Sequence, residues 1–380
     1  MQESISSRDR HLFGPGRKRI LALDGGGVRG ALSIGFLERL EALLAQRAGA
    51  PVRLCDYFDL IGGTSTGSII AAVLALGMST KDLKAFYLNL APKVFRRRPW
   101  RIPGWHAKFD AERLRLELDQ VLGDMKLGSS AIQTGLGVVL KRVDTGGSWL
   151  LVNNPKSPYW ETPDDRSFIG NCELRLAKIL RASTAAPHYF DPETIEIIDG
   201  QPPGLFLDGG LTPHNNPSLA LFLAAVLPPI GLNWRQGVDN LTIVSVGTGT
   251  FRSVLTIAQA RRLHALGLAV NALAGQIAES QRLVMTLMSW LGQPTLQWPI
   301  DSEIGDIGGF SPPSGALFRF DRLDVVLDQK WMSEHLGISR SVLDIARLRL
   351  MDSPANIPAL FELGRQAAEK QLTPAQIEAW

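Results

Sequence analysis

With 380 residues, 45% of them apolar and 20% charged, the chain is long enough for one large or two ordinary domains and too apolar to be disordered. A formal charge of +3 is small for that length, which argues against nucleic acid and leaves a lipid surface open as a partner. Only two cysteines occur, Cys55 and Cys172; they fall in no metal-type spacing and make no disulfide framework, which suits a reducing, cytoplasmic setting.

Residues Met1 to Arg10 are polar, without the apolar core of a secretory signal, and the stretch to about Lys18 reads as a flexible leader hinged at Gly14-Pro15-Gly16. Arg19–Leu23 reads as a buried strand. It runs into Asp24-Gly25-Gly26-Gly27-Val28-Arg29-Gly30. A helix follows from Ala31 to about Gln46, with Leu32, Phe36, Leu40, Leu43 and Leu44 at helical spacing. Two chemistries fit this loop. Gly25-x-Gly27-x-x-Gly30 matches a dinucleotide fingerprint, but the acid for the ribose about 20 residues on is missing from Ala45–Ala50. The alternative is an oxyanion hole, because successive glycines leave backbone N–H groups unshielded at a helix start.

Tyr57–Ile61 reads as a second strand, followed by Gly63-Thr64-Ser65-Thr66-Gly67 and an apolar helix over Ser68–Leu76. Strand, glycine turn and helix are the setting that a Gly-x-Ser-x-Gly nucleophile needs. Gly63 and Gly67 leave room for a sharp elbow with the Ser65 hydroxyl exposed. A helix is expected over Thr80–Leu90. Val94–Trp105, with four arginines and two tryptophans, reads as a solvated loop or as a segment for lipid headgroups. Next come an amphipathic helix over Phe109–Leu122 capped by Asp110, a hairpin of Leu136–Arg142 and Trp149–Asn153, and a helix over Glu173–Ser183.

Leu205–Leu207 then delivers Asp208 into Gly209-Gly210, the position of a carboxylate at the end of a buried strand. A helix over Ser218–Leu227 and a strand over Leu241–Val246 follow. Beyond Ser253 the chain reads as mainly helical, including Ala258–Ile277 and Ser280–Trp290. Phe318–Phe320 and Asp324–Leu327 are expected as short strands, and Ser353-Pro354 and Thr373-Pro374 as helix starts. The longest apolar runs, Ile69–Leu76 and Leu219–Leu227, are far below the roughly 20 residues of a membrane span. Strands alternate with helices, so an α/β fold with a mostly parallel sheet is expected.

Three motifs in this order resemble the patatin-like phospholipase family: Asp24–Gly30, Gly63–Gly67 and Asp208-Gly209-Gly210. Arg181–Phe190, Asn215-Asn216-Pro217 and Ser245–Gly249 add secondary likeness, so the resemblance covers about Arg19 to Thr250. It implies a three-layer α/β/α fold, a modified form of the α/β-hydrolase type. On this reading residues 1–18 are the leader, 19–250 the catalytic domain (core motifs 20–221) and 251–380 a helical extension packed on it. It also implies a lipid acyl hydrolase of lipid catabolism, with Ser65 as nucleophile and Asp208 as its base. Gly25, Gly26, Gly27 and Arg29 would form the oxyanion hole, with Gly30, Gly63, Gly67, Gly209 and Gly210 as structural glycines. The substrate would be a membrane lipid met at the bilayer surface, with the enzyme at most peripheral to the membrane.

A base within reach of the serine is required. Of the six histidines only His188 and His214 lie near a motif, and His214, six residues past Asp208, is the candidate for a triad. Otherwise Asp208 takes the proton itself, which asks for a desolvated carboxylate with a raised pKa. No cofactor or metal is expected, because the glycine loop handles the developing charge. Two other readings stay open: a nucleotide-activated effector phospholipase, and a nucleotide-binding module using Gly25–Gly30.

Overall fold

The computed structural model describes residues 5–96, 107–251, 264–300, 303–307 and 309–380, together with positions 257 and 261. The arginine- and tryptophan-rich run over 97–105 and the expected helix start at Ala258 therefore lie outside the described residues.

The first element is a helix, α1 (Ser7–Phe13), where the sequence suggested a flexible leader. Ser6 caps it by accepting the Asp9 N–H, and Leu12 is fully buried beneath the sheet. Strand β1 (Lys18–Leu23) is central. Its Leu21 and Leu23 enter one core and its Ile20 and Ala22 the other, so an unbroken apolar run is what a strand covered on both faces requires. The other early elements are α2 (Gly30–Ala48), β2 (Leu60–Thr64), α3 (Thr66–Ala75), α4 (Thr80–Val94), α5 (Ala111–Leu122), β3 (Gly135–Arg142) and β4 (Ser148–Val152). Then come α6 (Leu176–Ser183), β5 (Glu193–Ile195), β6 (Gly204–Asp208), α7 (Ser218–Val226) and β7 (Leu241–Val246). The last third holds α8 (Ala265–Leu291), β8 (Gly292–Gln293), β9 (Phe318–Leu323), α9 (Val342–Leu348), α10 (Ile357–Gln371) and α11 (Pro374–Ala379).

The strands form one sheet in the order β5-β6-β3-β2-β1-β7-β9-β8, with β4 also paired to β3. β3, β2, β1, β7 and β9 run parallel, and β4, β5 and β6 supply the antiparallel pairings. The last third is thus more than a helical extension. Phe318–Leu323 lies beside β7 and continues the sheet, while α10 packs on α2 with Gly364 close against the Leu32 carbonyl and Gly35 against the Phe361 carbonyl. The expected break between helices at Ile277 and Ser280 is absent, because α8 runs unbroken to Leu291.

One local register builds the site. β3 pairs with β2 from Gly135 to Val139 and with β6 from Leu140 to Arg142. Val138 pairs with both Gly63 and Leu151, and Lys141 with both Ser148 and Leu207. β2 and β6 therefore share the edge of β3 opposite β4. They approach head to head, with Thr64 opposite Val139 and Asp208 opposite the next residue, Leu140. The carboxyl ends of two strands running in opposite directions meet there.

Candidate active site

Ser65 stands between β2 and α3 with φ 53° and ψ −127°, a backbone state that costs a residue with a Cβ about 1–3 kcal/mol. The turn closes because its flanks are glycines. A Cβ on Gly63 would overlap the Gly67 carbonyl, and one on Gly67 would overlap the Leu23 carbonyl of β1. Helix α3 starts at Thr66, so its positive end lies at the serine.

The Ser65 Oγ–H donates to Asp208 Oδ2 at 2.7 Å, across 143 residues of sequence. The other carboxylate oxygen, Oδ1, accepts the Gly210 N–H at 2.7 Å. Gly209 fits tightly against the Val139 carbonyl, which lets the chain turn immediately after Asp208. Burial pushes the Asp208 carboxyl up to about 6, against the opposing pull of the Ser65 and Gly210 hydrogen bonds and of the Arg181 charge. A carboxylate held in that range is a better proton acceptor than an ordinary surface aspartate.

His214 is not part of this pair. Its carbonyl accepts the Thr64 Oγ–H at 2.6 Å, and its buried Nδ1 has no partner among the described residues. Burial lowers its pKa, so the ring is neutral. A Ser–His–Asp triad through His214 finds no support in this geometry.

The glycine loop passes directly beside the serine: a Cβ on Gly25 would stand 3.2 Å from the Ser65 Cβ. Not every expected donor is open. The Gly25 N–H is engaged by the Asn215 carbonyl at 3.1 Å, and the Gly25 carbonyl accepts from Thr248 Oγ1 at 3.0 Å. Arg29 is likewise committed. Its backbone N–H goes to the Gly26 carbonyl at 3.2 Å and its guanidinium to the Gly249 carbonyl at 2.9 Å, over the Phe251 ring. Burial lowers the Arg29 pKa to about 10, leaving it charged at neutral pH. Gly25 and the Arg29 backbone thus brace the loop rather than offer N–H groups. Gly26 and Gly27 differ: neither N–H meets an acceptor among the described residues. The Gly27 carbonyl is held by Tyr87 Oη at 2.6 Å and Thr66 Oγ1 at 3.0 Å, and a Cβ there would overlap the Met351 carbonyl. Gly30 opens α2 against the Thr66 side chain.

Sequence reasoning missed the group beneath the loop. Arg322 on β9 donates to both oxygens of Asp24, at 2.9 and 2.6 Å, and to Asp324 Oδ2 at 2.7 Å. Gln281 on α8 adds a bond to Asp24 at 2.6 Å, and Asp324 Oδ1 accepts the Gly249 N–H at 2.8 Å. All three charged groups are buried, and the two carboxylates hold the Arg322 pKa high against the burial that would lower it. The network ties the glycine loop to β9 and to the turn after β7. Arg322 and Asp324, which continue the strand face begun by Phe318 and Phe320, were the one available sign of it.

Ser65, Asp208, Gly26 and Gly27 open into a cavity of about 1920 Å³. Ile69, Leu90, Phe190, Ile277, Met285 and Trp298 are among the apolar residues that line it. Among the described residues no cluster of His, Cys, Asp and Glu could hold a metal ion, and no helix is long and apolar enough to cross a membrane.

The model of the family described as patatin-like phospholipase matches residues 21–222, more than half of the chain and all three motifs. The chain belongs to the patatin-like phospholipase family. It is 30% identical over 264 residues to patatin-like protein 1 of Arabidopsis thaliana, covering 61% of this chain and 58% of that protein. It is 31% identical over 238 residues to a cGAMP-activated phospholipase of Escherichia coli (strain TW11681), covering 61% of this chain and 62% of that one. The chain thus spans about six tenths of the length of these relatives. Among solved structures, human GIVD cytosolic phospholipase A2 aligns over 96% of this chain and 61% of its own, with 12% identity and a TM-score of 0.41.

Proposed function

We propose that this patatin-like protein is a serine lipid acyl hydrolase of the phospholipase A type, working through a Ser65–Asp208 dyad. The observation that carries this reading is the 2.7 Å bond from Ser65 Oγ to a buried Asp208, both in the wall of a large, mostly apolar cavity. The steps follow from the donors and acceptors present. Asp208 Oδ2 takes the Ser65 hydroxyl proton as Oγ attacks the ester carbonyl carbon. The carbonyl electron pair moves to oxygen, and the N–H groups of Gly26 and Gly27 stabilise that oxyanion. Collapse expels the alcohol oxygen, which takes the proton from Asp208. Water then attacks the acyl-Ser65 ester with Asp208 again as base, and the fatty acid leaves. One oxyanion donor is worth on the order of 100-fold or more in rate.

The cavity walls suit acyl chains, and the enzyme would meet its substrate at a bilayer surface. Helix α8 carries no charged residue from Ala265 to Ala278. Its Leu273 and Ile277 line the cavity, while Leu268 on the same stretch is 44% exposed. An apolar stretch that lines a lipid-sized cavity and also exposes Leu268 would suit a peripheral, interfacial contact. Replacing Leu268 with aspartate should reduce sedimentation with vesicles and leave hydrolysis of a short soluble ester intact; unchanged sedimentation would contradict the docking face.

The function itself is tested by fatty-acid release from mixed phosphatidylcholine and phosphatidylglycerol vesicles. Wild type and His214→Ala should release acid, and Ser65→Ala and Asp208→Asn should be silent. Release by Ser65→Ala at the wild-type rate would refute the assignment.

A further inference from the structure

The segment Arg181–Ala185, where α6 ends, takes no part in the steps above. It nevertheless holds both reacting residues by their main chains. The Ser65 N–H donates to Ser183 Oγ at 2.9 Å, and the Ser183 Oγ–H in turn donates to the Val139 carbonyl at 2.7 Å. The Asp208 N–H donates to the Ala185 carbonyl at 3.0 Å. Ser183 and Ala185 are fully buried.

Resting on the dyad reading, we propose that the end of α6 sets the separation of Ser65 and Asp208, with Ser183 as the positioning residue that holds the strained elbow in register. Ser65 needs this help because of where it stands. The β2–β3 pairing ends at Thr64 and the α3 ladder has not begun, so neither ladder satisfies its N–H. Its φ of 53° is uphill for a residue with a Cβ, so the backbone relaxes unless something outside the turn fixes it.

A hydroxyl suits the role because it accepts and donates at once. Giving its proton to Val139 aims a lone pair at the Ser65 N–H. Val139 also adjoins Leu140, the residue that pairs with Asp208. A closed ring results: Ser65 N–H to Ser183, Ser183 to Val139, along β3 to Leu140, across to Asp208, and back through the Asp208 carboxylate to Ser65 Oγ. The links are hydrogen bonds, the β3–β6 register pair of Leu140 and Asp208, and short steps of chain, so the nucleophile–base distance is set by β3 and α6 together. Alanine at 183 opens the ring and leaves the Ser65 N–H without this acceptor.

The test is a set of rates on Ser65 itself. We would measure the rate constant for labelling by a fluorophosphonate, kcat and KM on p-nitrophenyl butyrate, and Tm, for wild type, Ser183→Ala and Ser183→Thr. Misplacement of a nucleophile by a fraction of an ångström to one ångström predicts that Ser183→Ala loses about 10- to 100-fold in kcat and in labelling rate. KM should stay within about twofold, since the residue touches no substrate. The acid limb of the kcat/KM profile should move to higher pH, because a loosened Ser65 bond no longer favours the charged form of Asp208. Ser183→Thr, which keeps the hydroxyl, should recover most of the rate.

Wild-type kcat and labelling in Ser183→Ala, even with a lowered Tm, would overturn the proposal, as would a threonine variant with normal Tm and no rescue. If Ser183→Ala does not fold, Ser183→Cys, similar in size and a weak acceptor, carries the same comparison, and a wild-type labelling rate there refutes the role. A wild type that hydrolyses no ester and takes no label at Ser65 would refute the dyad reading itself and this inference with it.

Discussion

Replacing Asp208 with asparagine should make the protein inactive and, at neutral pH, more stable. Asparagine has the same shape, and its oxygen can still accept the Gly210 N–H at the Oδ1 position. What disappears is a buried ionisation. Burial raises the Asp208 pKa from 3.8 to about 6, so the folded protein favours the protonated form more than the unfolded chain does. The sign follows directly. This group's contribution to stability is fully present below pH 4 and is lost as the pH rises through about 6. The gap of about 2.2 pH units, at 1.36 kcal/mol per unit, is worth about 3 kcal/mol. Over 380 residues the unfolding entropy is about 0.8 kcal/mol/K, so 3 kcal/mol corresponds to about 4 °C in Tm. Melting curves of wild type and Asp208→Asn from pH 4 to pH 8 read this out. The variant's Tm should gain about 4 °C on wild type across that range, with most of the change between pH 4 and 6. Wild-type kcat/KM should rise over the same window, with an acid limb near pH 6. Parallel Tm curves would refute the claim that Asp208 is held uncomfortably charged.

The elbow gives a companion result: Ser65→Gly should raise stability by about 1 kcal/mol by relieving the positive φ, whereas Ser65→Ala should not, and both should be inactive, as melting and esterase assays would show. Arg322→Met should cost about 3–5 kcal/mol, because Asp24 and Asp324 would remain buried without their cation; soluble yield and chemical denaturation measure it, and a wild-type midpoint would contradict the role given to the network. Gly26→Ala should lose on the order of 100-fold or more in kcat, because its Cβ overlaps the Thr248 side chain and the loop must shift from the serine; kinetics on a soluble ester would decide this.

Ser65 and Asp208 were legible as candidates because each carries a local signature. Gly63 and Gly67 around Ser65 describe a turn that only such spacing allows, and an apolar strand ending in Asp208-Gly209-Gly210 describes a carboxylate at a sharp turn. How the halves meet was not legible, because β6 runs against β3 and its pairing is set by register over 60 residues of intervening chain. The open donors of the glycine loop were also hidden. Gly25, Gly26 and Gly27 look alike in sequence, and only the Asn215 carbonyl removes the first from the set. The leader was misread because Ser7–His11 are all polar and only Leu12 is buried in Ser7–Phe13, which left no periodic trace. Arg322 and Asp324 escaped notice because their partner, Asp24, lies about 300 residues away on another strand end. In Arg181–Phe190 the likeness to the family was visible, but not that Ser183 reaches the nucleophile's backbone.

The central claim is that Ser65 is acylated, and the most direct measurement is acid-quenched mass spectrometry of the intact protein during turnover of an ester. At low pH Asp208 is protonated and deacylation slows, so the account predicts a single acyl adduct that maps to Ser65 and is absent from Ser65→Ala. Turnover without an adduct at Ser65, or with the acyl group on another side chain, would contradict it.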